Sequence, residues 1–203
     1  GVYTTLNTVL DAIDKIRDTA SSHQRAFLIE TMGRHSGYLA LMAGIAGGAE
    51  IILIPEAPMT PEQVLDAIQA QYALGKPHSI IIVAEGYKPG TMAVYDYLHA
   101  REKEIGFTVR MTILGHIQRG GRPTAHERIL ATRFACAAVE NLIARNDGVM
   151  VGLIDNKIQT TELSKVINCH KGADLELYKL AQTLEFGHGK FLKNGTSINV
   201  DTQ

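Results

Sequence analysis

The stretch TPEQVLDAIQAQYALGKPHSIIIVAEG, residues 60–86, decides the fold of this chain because it contains one complete helix followed by one complete strand. Thr60, Pro61 and Gln63 fit the N-cap, the first helical position and the third, and the helix is predicted to run to about residue 74. A strand is predicted over 79–84, apolar on both faces from Ile80 onward. Strands of this kind are buried on both sides, as in parallel sheets covered by helices.

The same alternation of helix and strand extends through most of the chain, which predicts an α/β fold: a parallel sheet with helices on both faces, in a Rossmann-like three-layer arrangement with a C-terminal helical tail. We expect one main domain over 1–153, a C-terminal helical segment of the same domain over 154–186, and a polar tail over 187–203. The other predicted helices lie near 6–18, 38–47, 91–105, 125–145 and 174–184, and the other predicted strands lie at 26–29, 51–54, 107–114 and 149–153.

The composition excludes several classes of function. Twenty Lys and Arg residues against 21 Asp and Glu give a net charge of −1, which argues against a bulk electrostatic grip on nucleic acid or an anionic membrane. Cys136 and Cys169 show no CxxC spacing, so neither a metal site nor a disulfide framework is indicated, and a reducing cytoplasmic compartment fits. No apolar run approaches the roughly 18 residues of a membrane span, and no signal peptide opens the chain.

Polar side chains and glycines follow several of the predicted strands. Parallel strands end at one edge of their sheet, so the segments 30–34, 85–86 and 115–119, together with Glu56, are expected to converge there. Met32, Gly33 and Arg34 lie between a strand and a helix, where backbone amides and the helix dipole favour an anion. The competing interpretation is an ordinary turn with a surface arginine.

The segment GHIQRGGRP, residues 115–123, places His116 and Arg119 three residues apart beside glycines that permit close approach to a ligand. A guanidinium suits phosphate oxygens, and Glu85 could accept hydrogen bonds from sugar hydroxyls. Arg25 and Arg110 add two guanidiniums, either near the same strand ends or on a surface offered to a neighbouring subunit. These groups describe a sugar-phosphate site without a complete catalytic apparatus, although plain turns at Glu85 and at His116 remain the alternative.

Six segments, in this order, resemble the C-terminal, substrate-binding half of 6-phosphofructokinase. The resemblance covers about residues 4–153, and its most specific parts are the first and last segments. The segments are SSHQR (21–25), ETMGR (30–34), GIAGGAE (44–50), IPE (54–56), AEG (84–86) and LGHIQRGG (114–121).

The resemblance implies a site for fructose 6-phosphate and a reaction that transfers a phosphoryl group from a nucleotide to the 1-hydroxyl of that sugar, as in glycolysis. Arg25 and Arg110 would be donated across a subunit interface, and Arg34 would also act as the catalytic residue that stabilises the transferring group. The substrate-binding residues it implies are Arg25, Met32, Gly33, Arg34, Glu85, Arg110, His116 and Arg119.

The resemblance also implies an allosteric nucleotide-effector site. Glu50 would hold a metal ion or a ribose, while Arg17, Lys76 and His78 would hold phosphates. Leu74 stands where the family has an arginine, which implies altered or lost effector binding. Without the resemblance, Arg17 and Lys76 would be interpreted as solvated surface charges.

The family's nucleotide loop and its catalytic aspartate precede the region where this sequence begins. ATP and Mg²⁺ are therefore expected to be cofactors of an intact enzyme whose ligands lie outside this chain, and the chain alone is expected to be inactive. A homo-oligomer, tetrameric when intact, and exposed apolar surface facing the missing half are also expected.

Two alternatives remain open: a noncatalytic or regulatory half-domain, and a pyrophosphate-dependent relative. Departures from the family pattern occur at Arg122, His126 and Glu127, and nothing after about residue 186 matches the pattern.

Overall fold

The computed structural model describes residues 1–20, 25–169 and 172–185. Residues 21–24 of the SSHQR segment and the predicted tail over 187–203 lie outside the described residues. The strands are β1 (Arg25–Thr31), β2 (Ile51–Leu53), β3 (His78–Ala84), β4 (Thr108–Ile113), β5 (Val149–Ile154) and β6 (Lys157–Glu162). The helices are α1 (Val2–Ala20), α2 (Tyr38–Ala46), α3 (Pro61–Ala73), α4 (Thr91–His99), α5 (Glu102–Ile105), α6 (Ala125–Ile143), α7 (Leu163–Ile167) and α8 (Leu175–Glu185), with a 3₁₀ helix at Gly115–Arg119.

Four strands form a parallel sheet in the order β2-β3-β1-β4. In the register of β1, Arg25 pairs with His78 on one side and with Thr108 on the other. The predicted α/β fold with a parallel sheet is confirmed. The central strands β1 and β3 are almost wholly buried, as their uninterrupted apolar runs predicted.

Side chains that alternate along the central strands divide the interior into two cores. Phe27 and Ile29 of β1 lie in the core shared with α1, α2 and α8, whereas Leu28 lies in the core shared with α3, α4 and α5. Each fully buried aliphatic side chain contributes about 1.5 to 3 kcal/mol. The sheet is therefore the middle of three layers. Its polar groups lie at the two edges where the strands begin and end, the amino edge and the carboxyl edge.

Two helices begin with capping boxes. Thr60 caps α3 and exchanges hydrogen bonds with Gln63, as predicted. Thr124 and Glu127 do the same for α6, and Glu127 also accepts a hydrogen bond from the Thr4 N–H (3.2 Å). The hydrogen bond from the Thr4 hydroxyl, followed by those from backbone amides, holds the pKa of Glu127 well below its ordinary value. Glu127, a departure from the family pattern, therefore joins α1 to α6.

The helix predicted over 91–105 is divided into α4 and α5. Arg101 leaves the helical conformation, and its guanidinium stacks 3.7 Å from the centre of the Tyr97 ring. The division lets the Glu102 carboxylate accept a hydrogen bond from the Val109 N–H in β4 (2.7 Å). One strand amide is thereby satisfied by a side chain instead of a neighbouring strand.

The strand predicted over 149–153 exists as β5 but lies outside the parallel sheet. It pairs antiparallel with β6, which the sequence analysis missed, in a separate two-stranded sheet. Asp155 and Asn156 connect the two strands, both at positive φ (50° and 60°). The segment 154–186, predicted to be helical, thus also contains a strand, and its described helices are α7 and α8.

Helix α6 buries none of its residues. Ile129, Leu142 and Ile143 are 62%, 67% and 78% exposed. Exposed apolar side chains this numerous on one helix indicate a surface suited to another protein segment. Among the described residues, no helix combines the length and the apolar character that crossing a membrane requires.

Candidate functional site

The topology predicts a crevice at the carboxyl edge between β1 and β3. The chain leaves β1 through α2, which lies in the first core, and leaves β3 through α4, which lies in the second. Neighbouring strands whose following helices lie on opposite faces mark a topological switch point, where ligands bind in folds of this class. The predicted site segments 30–34 and 85–86 flank this crevice.

Glu85 bridges the crevice. One carboxylate oxygen, Oε1, accepts hydrogen bonds from the Gly33 N–H (3.1 Å) and from the Arg34 N–H (2.6 Å). The Glu85 N–H donates to the Thr31 carbonyl (2.9 Å), which continues the ladder between β3 and β1 beyond the strands. The two amides predicted to face an anion therefore face one that the protein supplies, and the charge of Glu85 is hydrogen-bonded.

The backbone around this contact is tightly constrained. A Cβ atom on Gly86 would stand 2.0 Å from the Arg34 carbonyl oxygen, so only glycine fits there. Arg34 has a φ of 51°, which is uncommon for a residue with a side chain and is often found at functional sites. Tyr87 anchors the following turn: it is fully buried, and its hydroxyl donates to the Met59 carbonyl. Burial raises the pKa of Tyr87 from its ordinary value of 10 to about 12, so this donor stays protonated well into the alkaline range.

The 3₁₀ helix after β4 lies beside β1 and carries His116 and Arg119 at the same edge. Both side chains are exposed. The guanidinium groups of Arg34 and Arg119 form no ion pair or hydrogen bond with the described residues. Two unpaired cations and an imidazole at one edge favour an anionic ligand.

Gln118 joins the 3₁₀ helix to β1, and the sequence analysis missed it. Its side chain is wholly buried; Oε1 accepts a hydrogen bond from the Met32 N–H (3.1 Å), and Nε2 donates to the Gly115 carbonyl (2.9 Å). Its sequence signal was weak, because a single amide in a glycine-bounded loop has no periodicity to indicate burial. Its position between His116 and Arg119 was the available clue.

Six of the predicted substrate-binding residues are thus brought to the carboxyl edge: Met32, Gly33, Arg34, Glu85, His116 and Arg119.

The two remaining predicted substrate-binding residues, Arg25 and Arg110, do not join that group. Arg25 opens β1, six residues and about 20 Å before the end of that strand. Placement of Arg25 beside the strand ends, the first alternative considered above, is therefore wrong. Arg110 lies on the outermost strand, is exposed, and has its guanidinium hydrogen-bonded to the Val109 carbonyl (2.8 Å).

The four predicted effector residues lie at the amino edge of the sheet, and two of them, Arg17 and Glu50, contact each other there. Arg17 donates to the carbonyls of Gly47 (2.6 Å) and Gly48 (2.7 Å), and its Nη1 lies 3.9 Å from Glu50 Oε1. Arg17 is therefore more than a solvated surface charge. Glu50 is buried, and its other carboxylate oxygen accepts the Ile80 N–H (2.8 Å).

His78 opens β3 two residues before Ile80, and Lys76 precedes it in the connecting turn. Within the described part of the chain, His78 Nδ1 is a buried side-chain nitrogen with no hydrogen-bond partner. Buried polar atoms are normally paired, so this nitrogen is available to a partner from outside the described residues. Leu74, at the family's arginine position, is 74% exposed at the end of α3.

Glu56, predicted among the polar strand ends, has a structural role. Its carboxylate accepts the Gly37 N–H at the start of α2 (3.0 Å to each oxygen) and the Ala173 N–H before α8 (2.7 Å). The N-terminus of α2, expected to add its dipole at Met32 and Arg34, is thus occupied by Glu56.

A groove of about 800 Å³ lies between α6 and β6, and its lining includes Arg133, Cys136 and Gln159. None of the residues at the crevice borders it. Across residues 1–20, 25–169 and 172–185, no cluster of three or more His, Cys, Asp or Glu side chains could hold a metal ion.

Comparison with known proteins supports one family. The family model described as Phosphofructokinase matches residues 1–142. Over 184 residues the chain is 47% identical to ATP-dependent 6-phosphofructokinase 1 of Thermus thermophilus and 49% identical to ATP-dependent 6-phosphofructokinase of Brevibacillus brevis, covering 91% of this chain and 56% of each relative. The chain thus spans about half the length of the curated relatives it matches.

Among solved structures, phosphofructokinase from Saccharomyces cerevisiae matches with a TM-score of 0.74 and 33% identity, over 91% of this chain and 25% of that one. Pichia pastoris phosphofructokinase in the T-state matches with a TM-score of 0.73 and 34% identity, over 92% of this chain and 22% of that one. Both structures have the fold described above over nearly the whole chain.

Proposed function

This chain belongs to the phosphofructokinase family, and from that premise we propose that it is the fructose 6-phosphate-binding part of an ATP-dependent 6-phosphofructokinase of glycolysis, a cytoplasmic enzyme. The observation that carries the proposal is the bridge from Glu85 to the amides of Gly33 and Arg34 across the switch-point crevice. It gathers an acceptor carboxylate and an unpaired guanidinium where ligands bind in this class of fold.

The sugar phosphate would be held at the carboxyl edge by complementary charges. Arg119 presents a planar fork for phosphate oxygens, and His116 lies three residues away in the same short helix. Glu85 has one carboxylate oxygen turned to the backbone and a second, Oε2, for which no hydrogen bond occurs among the described residues. That oxygen would accept hydrogen bonds from sugar hydroxyls.

Arg34 would act on the group in transfer. Phosphoryl transfer spreads negative charge over the equatorial oxygens, and catalysis consists mainly of positioning and electrostatic stabilisation. The Arg34 backbone is fixed by its bond to Glu85, while its guanidinium is exposed at the crevice. With its backbone fixed at the site, the guanidinium would stay within reach of that charge and stabilise it.

ATP with Mg²⁺ would supply the phosphoryl group. The part of the relatives that this chain does not span would supply the nucleotide site. The exposed apolar face of α6 suits such a segment.

The proposal includes an oligomer, tetrameric in the intact enzyme. Arg25 lies about 20 Å along its strand from the carboxyl edge, and Arg110 faces outward on the edge strand. Both would complete the pocket of a neighbouring subunit. At the amino edge, Arg17, Glu50, His78 and Lys76 would receive a nucleotide effector, with the exposed Leu74 weakening that site.

Calorimetric titration of the full-length protein with fructose 6-phosphate tests the proposal. Arg119→Ala is expected to weaken binding by about 1.5 to 3 kcal/mol, the loss of a charge-assisted hydrogen bond. Arg133→Ala, an exposed arginine on α6, is the matched control and should bind as wild type does. Equal affinity for Arg119→Ala and wild type would remove Arg119 from the site, and a wild type that does not bind the sugar phosphate would reject the function.

A further inference from the structure

We propose that Gln118 is a positioning residue for sugar-phosphate binding: its buried amide fixes the 3₁₀ helix bearing His116 and Arg119 to the end of β1, and so sets their placement against Arg34. This inference rests on the proposed function and adds to it a residue that touches no ligand itself. Gln118 reaches the site only through the backbone of Met32 and Gly115.

The chemistry of the site requires an amide. The Met32 N–H needs an acceptor and the Gly115 carbonyl needs a donor, and Gln118 supplies both from one planar group. The side chain is 0% exposed, so water cannot replace either bond without opening the loop. A carboxylate offers no donor, and an apolar side chain offers neither bond.

Few other contacts hold this loop: the Leu114 N–H at its start donates to the Glu30 carbonyl of β1 (3.2 Å), and Leu114 packs against the first core. The 3₁₀ helix contains five residues, and the side chains of His116 and Arg119 are exposed. A second polar contact, from the Thr8 hydroxyl to the Gly120 carbonyl, is long at 3.5 Å and joins the loop to α1 instead of β1. Leu114 fixes the start of the loop, and the Gln118 amide fixes the part between His116 and Arg119 to the end of β1.

Two substitutions separate positioning from general stability. Gln118→Leu removes both hydrogen bonds and is expected to weaken fructose 6-phosphate binding about 10- to 100-fold, the loss that follows from misplacing binding groups by about 1 Å. Gln118→Glu keeps the acceptor for Met32 but, when ionised, sets a negative charge against the Gly115 carbonyl oxygen. Protonation restores a donor, so the defect of this variant should shrink as pH falls from 8 toward the titration of the carboxyl group.

The chain offers a matched control in Gln71. This glutamine is also buried (2% exposed) and also makes two hydrogen bonds, to the Glu50 carbonyl (3.1 Å) and from the Ser79 hydroxyl (3.0 Å), at the opposite edge of the sheet. Gln71→Leu should therefore lower the thermal midpoint about as much as Gln118→Leu does. Its affinity for fructose 6-phosphate, measured without nucleotide, should equal that of wild type.

The experiment measures, for full-length wild type and the three variants, the thermal midpoint, the calorimetric Kd for fructose 6-phosphate at several pH values, and the KM for the nucleotide. The inference is supported by a weakened sugar phosphate Kd in both Gln118 variants, with unchanged nucleotide KM, unchanged Gln71→Leu affinity and acid recovery of Gln118→Glu. Equal sugar affinity in wild type and the Gln118 variants overturns it, as does an equal loss in Gln71→Leu.

If Gln118→Leu does not fold, Gln118→Glu decides: wild-type affinity at pH 8, or a defect that acid does not reduce, overturns the inference. Failure of wild type to bind the sugar phosphate rejects the proposed function instead, and this inference with it, so the two failures are distinguishable.

Discussion

Substitution of Gly86 by alanine tests whether close contact between the loops after β1 and β3 builds the crevice. An added Cβ would lie 2.0 Å from the Arg34 carbonyl oxygen and 3.0 Å from its carbonyl carbon, whereas ordinary contact begins at 3.4 Å. The two loops must therefore separate by roughly 1.4 Å. Arg34 cannot yield freely, because its N–H is bonded to Glu85 at 2.6 Å and its φ is already unfavourable.

Overpacking of this kind costs about 1 to 3 kcal/mol of folding free energy. For a chain of this length the thermal midpoint should fall by about 2 to 12 °C. A separation above 1 Å at a positioned arginine should also weaken fructose 6-phosphate binding by about 100-fold. Differential scanning calorimetry and calorimetric titration of the same protein samples measure the two effects.

Gly152→Ala is the control, because an added Cβ there meets only the end of the Met150 side chain, at 3.9 Å. It should change stability by less than about 0.5 kcal/mol and leave sugar affinity unaltered. If Gly86→Ala proves as stable as Gly152→Ala and binds the sugar phosphate as wild type does, the crevice does not depend on this contact.

Three further outcomes are expected. The pKa of Glu127 is lowered in the folded chain, so the stability that its carboxylate contributes is present above the unfolded value of 4.5 and is lost as pH falls below it. The unfolding free energy of Glu127→Gln, measured by urea titration, should therefore decline less steeply on acidification than that of wild type. Parallel declines in the two proteins would contradict this. Glu56→Ala leaves the Gly37 and Ala173 amides without their acceptor and should cost about 1 to 3 kcal/mol, with faster amide hydrogen exchange in α8; unchanged exchange there would count against it. Mixing Arg110→Ala subunits with equal amounts of Arg119→Ala subunits should restore activity to about a quarter of the sites in a two-fold oligomer, because half of the dimers are hybrids and each hybrid has one intact site. No recovery of activity after subunit exchange would place Arg110 in its own subunit's pocket.

The sheet and its covering helices were predictable because their signals are local. Thr60 and Gln63 predicted the start of α3, and the apolar run from Ile80 predicted β3; both elements are present in the structure. The hairpin was missed although Asp155 and Asn156 form a two-residue turn typical of hairpins, because the polar strand β6 has no apolar face to indicate it. Its partner, β5, is not enclosed between helices as the strands of the parallel sheet are, and none of its residues is fully buried.

The sequence predicted most of the residues that lie at the candidate site, but it did not predict how those residues contact one another. Residue type and strand-end position located Arg34, Glu85, His116 and Arg119 at one edge. That Glu85 occupies the amides of Gly33 and Arg34 depends on a pairing across 51 and 52 residues of sequence, which no local pattern encodes. The placement of Arg25 was predictable, because Arg25 precedes the strand predicted at 26–29 and therefore lies at its amino end, away from the edge where ligands bind.

Strand β3 connects the amino edge of the parallel sheet to its carboxyl edge. His78 is its first residue and Glu85 follows its last, and between them lie six strand residues that pair with β1 on one side and, in part, with β2 on the other. An extended strand resists shortening, so we expect a displacement of His78 along the strand axis to be felt at Glu85, about 23 Å away. A molecule that binds and displaces His78 is therefore also expected to displace the Glu85 carboxylate.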